Sequence, residues 1–140
     1  MATAESCTGG GIGAALTSVA GSSAVYKGGV VSYANEIKAK LLNVDALLLE
    51  KEGAVSAPVA KAMADGVRIA LSTDIGISAT GLAGPDGDDY GNTVGTVYIG
   101  YSDSKHSFVE HFIFSGDREA VRQQAVNEAL SIILQQCNKL

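Results

Sequence analysis

Residues 4–11 read AESCTGGG. A serine and a cysteine stand side by side, and a threonine and three glycines follow. Ser6 is a candidate nucleophile, provided a base is positioned to take its proton. Backbone N–H groups of a glycine turn at a helix start are suited to hold a developing oxyanion or a phosphate. The plain alternative is a tight turn in which glycine permits positive φ. Gly9, Gly11 and Ala14 also satisfy G-x-G-x-x-[GA]. That pattern needs a full strand before it, which Met1–Ala4 barely supplies, and no Gly-Lys-Ser/Thr follows to make a P-loop.

A serine nucleophile raises the question of its base. Histidine is the usual one, but the chain holds only His106 and His111. Five apart on one expected strand, they face opposite sides, so a Ser-His-Asp triad has little support. Lysine is the alternative base, if burial lowers its pKa. Residues 28–44, GGVVSYANEIKAKLLNV, supply one. Tyr33 ends an expected strand and Lys38 sits in the helix after it, both near the C-terminal edge of a sheet, where α/β proteins place their sites. The bland reading makes Lys38 and Lys40 solvated helix charges and Tyr33 a half-buried strand aromatic. Cys7 is expected to be a small packed residue rather than a reactive thiol.

The elements that must carry these residues alternate along the chain. A short helix is expected over 12–20, a strand over 28–33, a helix capped by Asn35 and running to Leu42, and another over 46–51. Ser56 and Pro58 mark the start of the clearest helix, with Val59, Met63, Val67 and Ala70 as its apolar stripe. Residues 74–80 read as a buried strand, followed by the loop GLAGPDGDDYGN. Residues 94–101 and 106–114 alternate as an antiparallel hairpin turning through 102–104. Asp117 then caps a long helix with Val121, Ala125, Ala129, Ile132 and Ile133 on one face. The pattern predicts an α/β fold, one domain with a mixed sheet flanked by helices.

Composition narrows the function classes. The chain has 140 residues, 46% of them hydrophobic and 18% charged, with a net charge of −5. That length suits one domain with a real core. The acidic balance and the lack of any basic run argue against nucleic acid as a partner. Two cysteines and two histidines make a structural metal site improbable and do not form a disulfide framework. No secretory signal and no apolar run of membrane-spanning length is recognised. A cytoplasmic protein with no membrane partner is expected.

Six ordered blocks, AESCTGG, GGVVSYANEIKAKLLNV, GAVS, GLAGPDG, VGTVY and FSGDREAVRQQA, together resemble the CinA C-terminal domain family, the nicotinamide-nucleotide amidases. The match spans nearly the whole chain. The resemblance implies helices on both faces of the sheet and a cofactor-free, metal-free hydrolysis. The carboxamide of nicotinamide mononucleotide would become the carboxylate, with release of ammonia. By motif position the catalytic set falls on Ser6, Tyr33 and Lys38, with Tyr33 orienting Lys38 or passing a proton to the leaving ammonia. Thr8, Gly9, Gly10 and Asn35 would join Gly84, Pro85, Asp86 and Arg118 in binding the substrate. An arginine at a helix start suits a phosphate, though Asp117 simply capping that helix beside a solvated Arg118 reads equally well. The glycine loop likewise reads as either a nucleotide contact or an ordinary turn.

The family pattern carries a helix and the rest of a first strand ahead of the serine block. Here five residues precede Ser6, so an uncovered apolar face is expected. The lysine-proline that often precedes VGTV is absent from GPDGDDYGNTVG. A homo-oligomer is the expected assembly. The rival function is a pyridine-nucleotide-binding module without turnover, which would shift in melting temperature with nucleotide but release no ammonia. An oxidoreductase is a third reading; it lacks the acidic partner after the second strand, where Glu36 falls in the expected helix.

Overall fold

A strand of only four residues holds the sheet together. In the computed structural model, which describes residues 1–139, strand β1 (Ala2–Glu5) is fully buried. It lies between two parallel neighbours, β2 (Gly28–Val31) and β3 (Gly76–Gly81). Partners on both sides satisfy its backbone donors and acceptors, which is why four residues suffice in a central position. Two antiparallel strands, β4 (Thr96–Ser102) and β5 (Ser107–Ile113), complete a five-stranded sheet ordered β2-β1-β3-β4-β5.

Small side chains on β1 and β3 let helices approach closely. Ala2 and Ala4 face a core built from α2 (Asn35–Leu42), α3 (Ala46–Glu52) and α4 (Ala57–Ala70), including Leu42, Leu49, Val59, Met63 and Val67. The α4 backbone comes near enough for Ser78 Oγ to donate to the Ala60 carbonyl at 2.6 Å. A Cβ at Gly100 would fall 2.5 Å from that same oxygen, so β4 needs glycine there.

The opposite face carries α1 (Gly11–Thr17) and α5 (Arg118–Cys137). Its core joins Ile12, Ile77, Ala79, Val97, Ile99 and Tyr101 to the α5 stripe of Val121, Ala125, Ala129, Ile132 and Ile133. That stripe is the one expected from helical spacing, and Asp117 accepts from the Ala120 N–H at 2.9 Å as its cap. Helices thus flank a mixed sheet on both faces. Among the described residues no helix is long and apolar enough to cross a membrane.

Several local expectations need correction. Asn35 does not cap α2; Ala34 occupies that place and Asn35 is the first helical residue. Ser56 holds the cap position of α4, yet its hydroxyl donates back to the Gly53 carbonyl at 2.9 Å. Ala70 lies on the exposed side of that helix. His106 is not on a strand: β5 starts one residue later, and the His106 N–H donates to Asp103 in the turn. His111 is on β5 and stacks on Tyr98, ring centroids 4.5 Å apart.

Candidate active site

Ser6 emerges where β1 ends. Its N–H still donates to the Ala79 carbonyl at 2.9 Å, so the β1–β3 ladder fixes its backbone. The chain then turns sharply: Gly9 N–H returns to the Ser6 carbonyl at 3.1 Å, and Gly11 N–H to that of Thr8 at 2.9 Å. Gly9 and Gly10 take φ of +59° and +99°, which is why glycine occupies both places. The carboxylate of Glu5, 2% exposed, reaches over this turn and accepts from Ile12 N–H at 2.8 Å and Gly13 N–H at 3.0 Å. A negative side chain therefore already occupies the start of α1, where the dinucleotide reading would put a pyrophosphate.

Lys38 approaches from the other side. It lies on α2, one turn in, and is 1% exposed. Helical side chains lean toward the N-terminus of their helix, so its amine folds back over the segment that leads into α2. There Nζ lies 2.7 Å from the Ser32 carbonyl, 3.1 Å from the Tyr33 carbonyl and 3.1 Å from Ser6 Oγ. Burial lowers its pKa to about 8. The three acceptors match the three N–H bonds of the ammonium; once a proton is lost, two N–H bonds can stay on the carbonyls and the lone pair faces the Ser6 hydroxyl proton. Cys7 is buried beside Ser6, and burial pushes its thiol up to about 11, which makes it inert near neutral pH.

A cleft of about 230 Å³ opens over this pair. Val55, Thr80, Ala83, Gly84, Asp86 and Arg118 also line it. Thr80 Oγ1 donates to the Ala54 carbonyl at 2.8 Å, tying two of its walls together. At the mouth, Arg118 donates to the Gly84 carbonyl at 2.6 Å and sits 3.3 Å from the Tyr33 hydroxyl. Tyr33 is 63% exposed; it meets Lys38 through its carbonyl, while its ring belongs to the mouth.

The other residues named from sequence lie outside the lining. Thr8 is buried behind the turn with its hydroxyl unpartnered. Gly9 and Gly10 form the turn, Asn35 is exposed on the first turn of α2, and Pro85 is exposed on the loop after β3. Arg122 and Glu5 were not anticipated. Arg122 lies four residues after Arg118, on the same face of α5, a spacing visible in the sequence. An acidic residue just before a glycine turn and a helix was the signal for Glu5. A larger groove of about 690 Å³ lies at the opposite end of the sheet, around Tyr101, Phe108 and His106. It holds no paired nucleophile and base, so the smaller cleft is the candidate active site. Among the described residues no cluster of three metal-ligating side chains occurs.

Comparison with known proteins agrees with this fold. The family model of the CinA C-terminal domain matches residues 1–137. A CinA-like protein of Citrifermentans bemidjiense is 52% identical over 122 residues, covering 87% of this chain and 30% of its own length. The chain therefore spans under a third of that relative. The crystal structure of competence damage-inducible protein A from Klebsiella pneumoniae superposes with a TM-score of 0.95 at 36% identity, covering 98% of this chain and 85% of that one. A CinA superfamily protein from Escherichia coli gives 0.94 at 36% identity, over 96% and 78%. With a match along nearly its full length and the same fold in solved relatives, this chain belongs to the CinA C-terminal domain family.

Proposed function

We propose that this protein is an amidohydrolase in which Ser6 attacks a carboxamide and Lys38 is its base. The observation that carries the reading is the Lys38 amine, buried, 3.1 Å from Ser6 Oγ and also in hydrogen-bond contact with two main-chain carbonyls. Neutral Lys38 takes the serine proton as Oγ bonds to the carboxamide carbon. The tetrahedral oxyanion is stabilised by main-chain N–H groups of the turn. Lys38 then gives its proton to the departing nitrogen, ammonia leaves, and an acyl-serine remains. Water attacks that ester, Lys38 accepts the water's proton, and returning it to Ser6 Oγ releases the carboxylate.

Nicotinamide mononucleotide is the substrate we favour, on the family resemblance. The cleft suits it in two respects. Besides the buried Lys38, its lining carries Arg118 and Asp86, opposite in charge to the phosphate and the pyridinium ring. It is smaller than the roughly 300–1,000 Å³ of pockets that enclose a whole ligand, as befits a site that takes the carboxamide end and leaves the phosphate at the mouth. The test is ammonia release from nicotinamide mononucleotide by wild type, Ser6→Ala and Lys38→Ala, with and without EDTA. Turnover that survives EDTA and disappears in both folded variants supports the reading. Binding without ammonia release, seen as a shift in melting temperature alone, would make the protein a nucleotide-binding module instead.

A further inference from the structure

We propose that Arg122 is a positioning residue that holds the oxyanion donors beside Ser6 in place. The inference rests on Ser6 being the nucleophile, as proposed above. Arg122 stands on α5, outside the cleft lining. Its Nε donates to the Cys7 carbonyl at 3.1 Å and its Nη2 to the Thr8 carbonyl at 3.4 Å. These contacts bridge more than a hundred residues of sequence. Its remaining partner, Glu119 at 3.6 Å, is 83% exposed and holds it only weakly.

The consequence follows from peptide planarity. In a trans peptide the C=O and the next N–H point in opposite directions. Fixing the Cys7 carbonyl on Arg122 therefore turns the Thr8 N–H away from the guanidinium. Fixing the Ser6 carbonyl on Gly9 N–H does the same for the Cys7 N–H. Among the described residues neither N–H donates to any main-chain or side-chain oxygen. Two free donors directly after the nucleophile are what an oxyanion requires. Glu5 secures the far end of the same turn through Ile12 and Gly13. A planar guanidinium that grips two successive carbonyls does this better than a lysine ammonium, whose charge is concentrated at one point.

The test compares wild type, Arg122→Ala and Arg122→Lys by two readouts. One is the rate at which a fluorophosphonate probe phosphonylates Ser6, located by mass spectrometry, because that adduct also places an oxygen on the oxyanion donors. The other is kcat and KM for ammonia release from nicotinamide mononucleotide. Losing one oxyanion donor costs about 10²–10³ in rate, so loosening both is expected to cost Arg122→Ala about 10–100-fold in labelling rate and in kcat. KM should change little, Arg122→Lys should recover part of the loss, and added guanidinium ion should restore Arg122→Ala in part. Wild-type labelling by Arg122→Ala, or a loss confined to KM, overturns the proposal, and so does a wild type whose Ser6 takes no probe. If Arg122→Ala does not fold, the same comparison is made with Arg122→Lys. Labelling at Ser6 without ammonia release would remove the assigned substrate and leave the Arg122 comparison standing on labelling.

Discussion

Lys38 Nζ and Ser6 Oγ meet at 3.1 Å although 32 residues separate them in sequence. Both are buried, and the chain around each is tied to the other through β1: the Ser32 N–H donates to the Glu5 carbonyl at 2.8 Å. The pairing is therefore a property of the β1–β2 ladder rather than of two mobile side chains. It predicts the pH dependence of the reaction. Only neutral Lys38 accepts the serine proton, and burial sets its pKa at about 8. Activity as kcat/KM is expected to rise with pH on a single limb centred near 8 and then to level off. A rate that falls across that range would exclude Lys38 as the base.

The same burial has a stability signature. A lysine in water titrates near pKa ~10.4, so between about pH 8 and that value the unfolded chain binds a proton that the native protein does not. Stability then rises with pH through this window, because the unfolded state holds more protons. The full change is about 3 kcal/mol. Lys38→Met removes the group and its titration. Denaturant melts of the two proteins from pH 7 to 10.5 should show wild type gaining on the variant as pH rises. Parallel curves would mean that Lys38 is not held neutral.

Glu5 is predicted to matter for the turn rather than for the chemistry. Its carboxylate serves two N–H groups at the start of α1 and is almost wholly buried. Glu5→Ala leaves both donors without a partner and a cavity behind them, at a cost of about 2–4 kcal/mol. Glu5→Gln keeps an acceptor and should recover part of that. Urea melts of the three proteins decide it; an Ala variant as stable as wild type would show the contacts to be dispensable.

How much of this was readable from residues depends on the range of the interaction involved. The α5 stripe, the α4 start and the β4–β5 hairpin follow local periodicity and turn chemistry and formed where expected, except that the Ser56 hydroxyl does not cap α4 and His106 falls in the hairpin turn. Lys38 and Ser6 were candidates by residue type, and the six ordered blocks pointed to the family. Their distance was not legible, because it depends on parallel pairing between β1 and β2. The glycine turn was legible as a turn and not as an occupied one: whether its N–H groups are free depends on Glu5 reaching over it. Asn35 was misjudged as a cap because capping is decided by the entry angle of the chain, and Ala34 takes the extended conformation there. Arg122 was legible only as a helical spacing from Arg118; its contact, made across more than a hundred residues, was not.

Gly10 tests whether the turn's shape is needed. Its φ of +99° is outside what an L residue adopts readily, while a Cβ there would meet only Val31 at an ordinary 3.7 Å. Gly10→Ala therefore introduces backbone strain without a clash. The expected cost is about 1–3 kcal/mol, with activity falling further than stability if the turn relaxes and moves the amides beside Ser6. Melting temperature and kcat measured on one preparation separate the two effects. Unchanged values in both would show that the turn tolerates a side chain.

Tyr33 separates two accounts of proton transfer. Family resemblance gives its hydroxyl a role with Lys38, yet the hydroxyl lies 3.3 Å from Arg118 and the contact to Lys38 is made by the main-chain carbonyl. Tyr33→Phe keeps that carbonyl. If proton transfer runs through Lys38 alone, the variant retains kcat within a few fold and keeps the activity limb near pH 8, while KM rises because Arg118 loses a partner at the mouth. If the hydroxyl carries the proton to ammonia, kcat falls about 10²–10⁴-fold, the usual worth of a general acid, with KM little changed. Steady-state kinetics across pH 6.5 to 9.5 distinguishes the two, and the arrangement of Lys38 between two carbonyls favours the first.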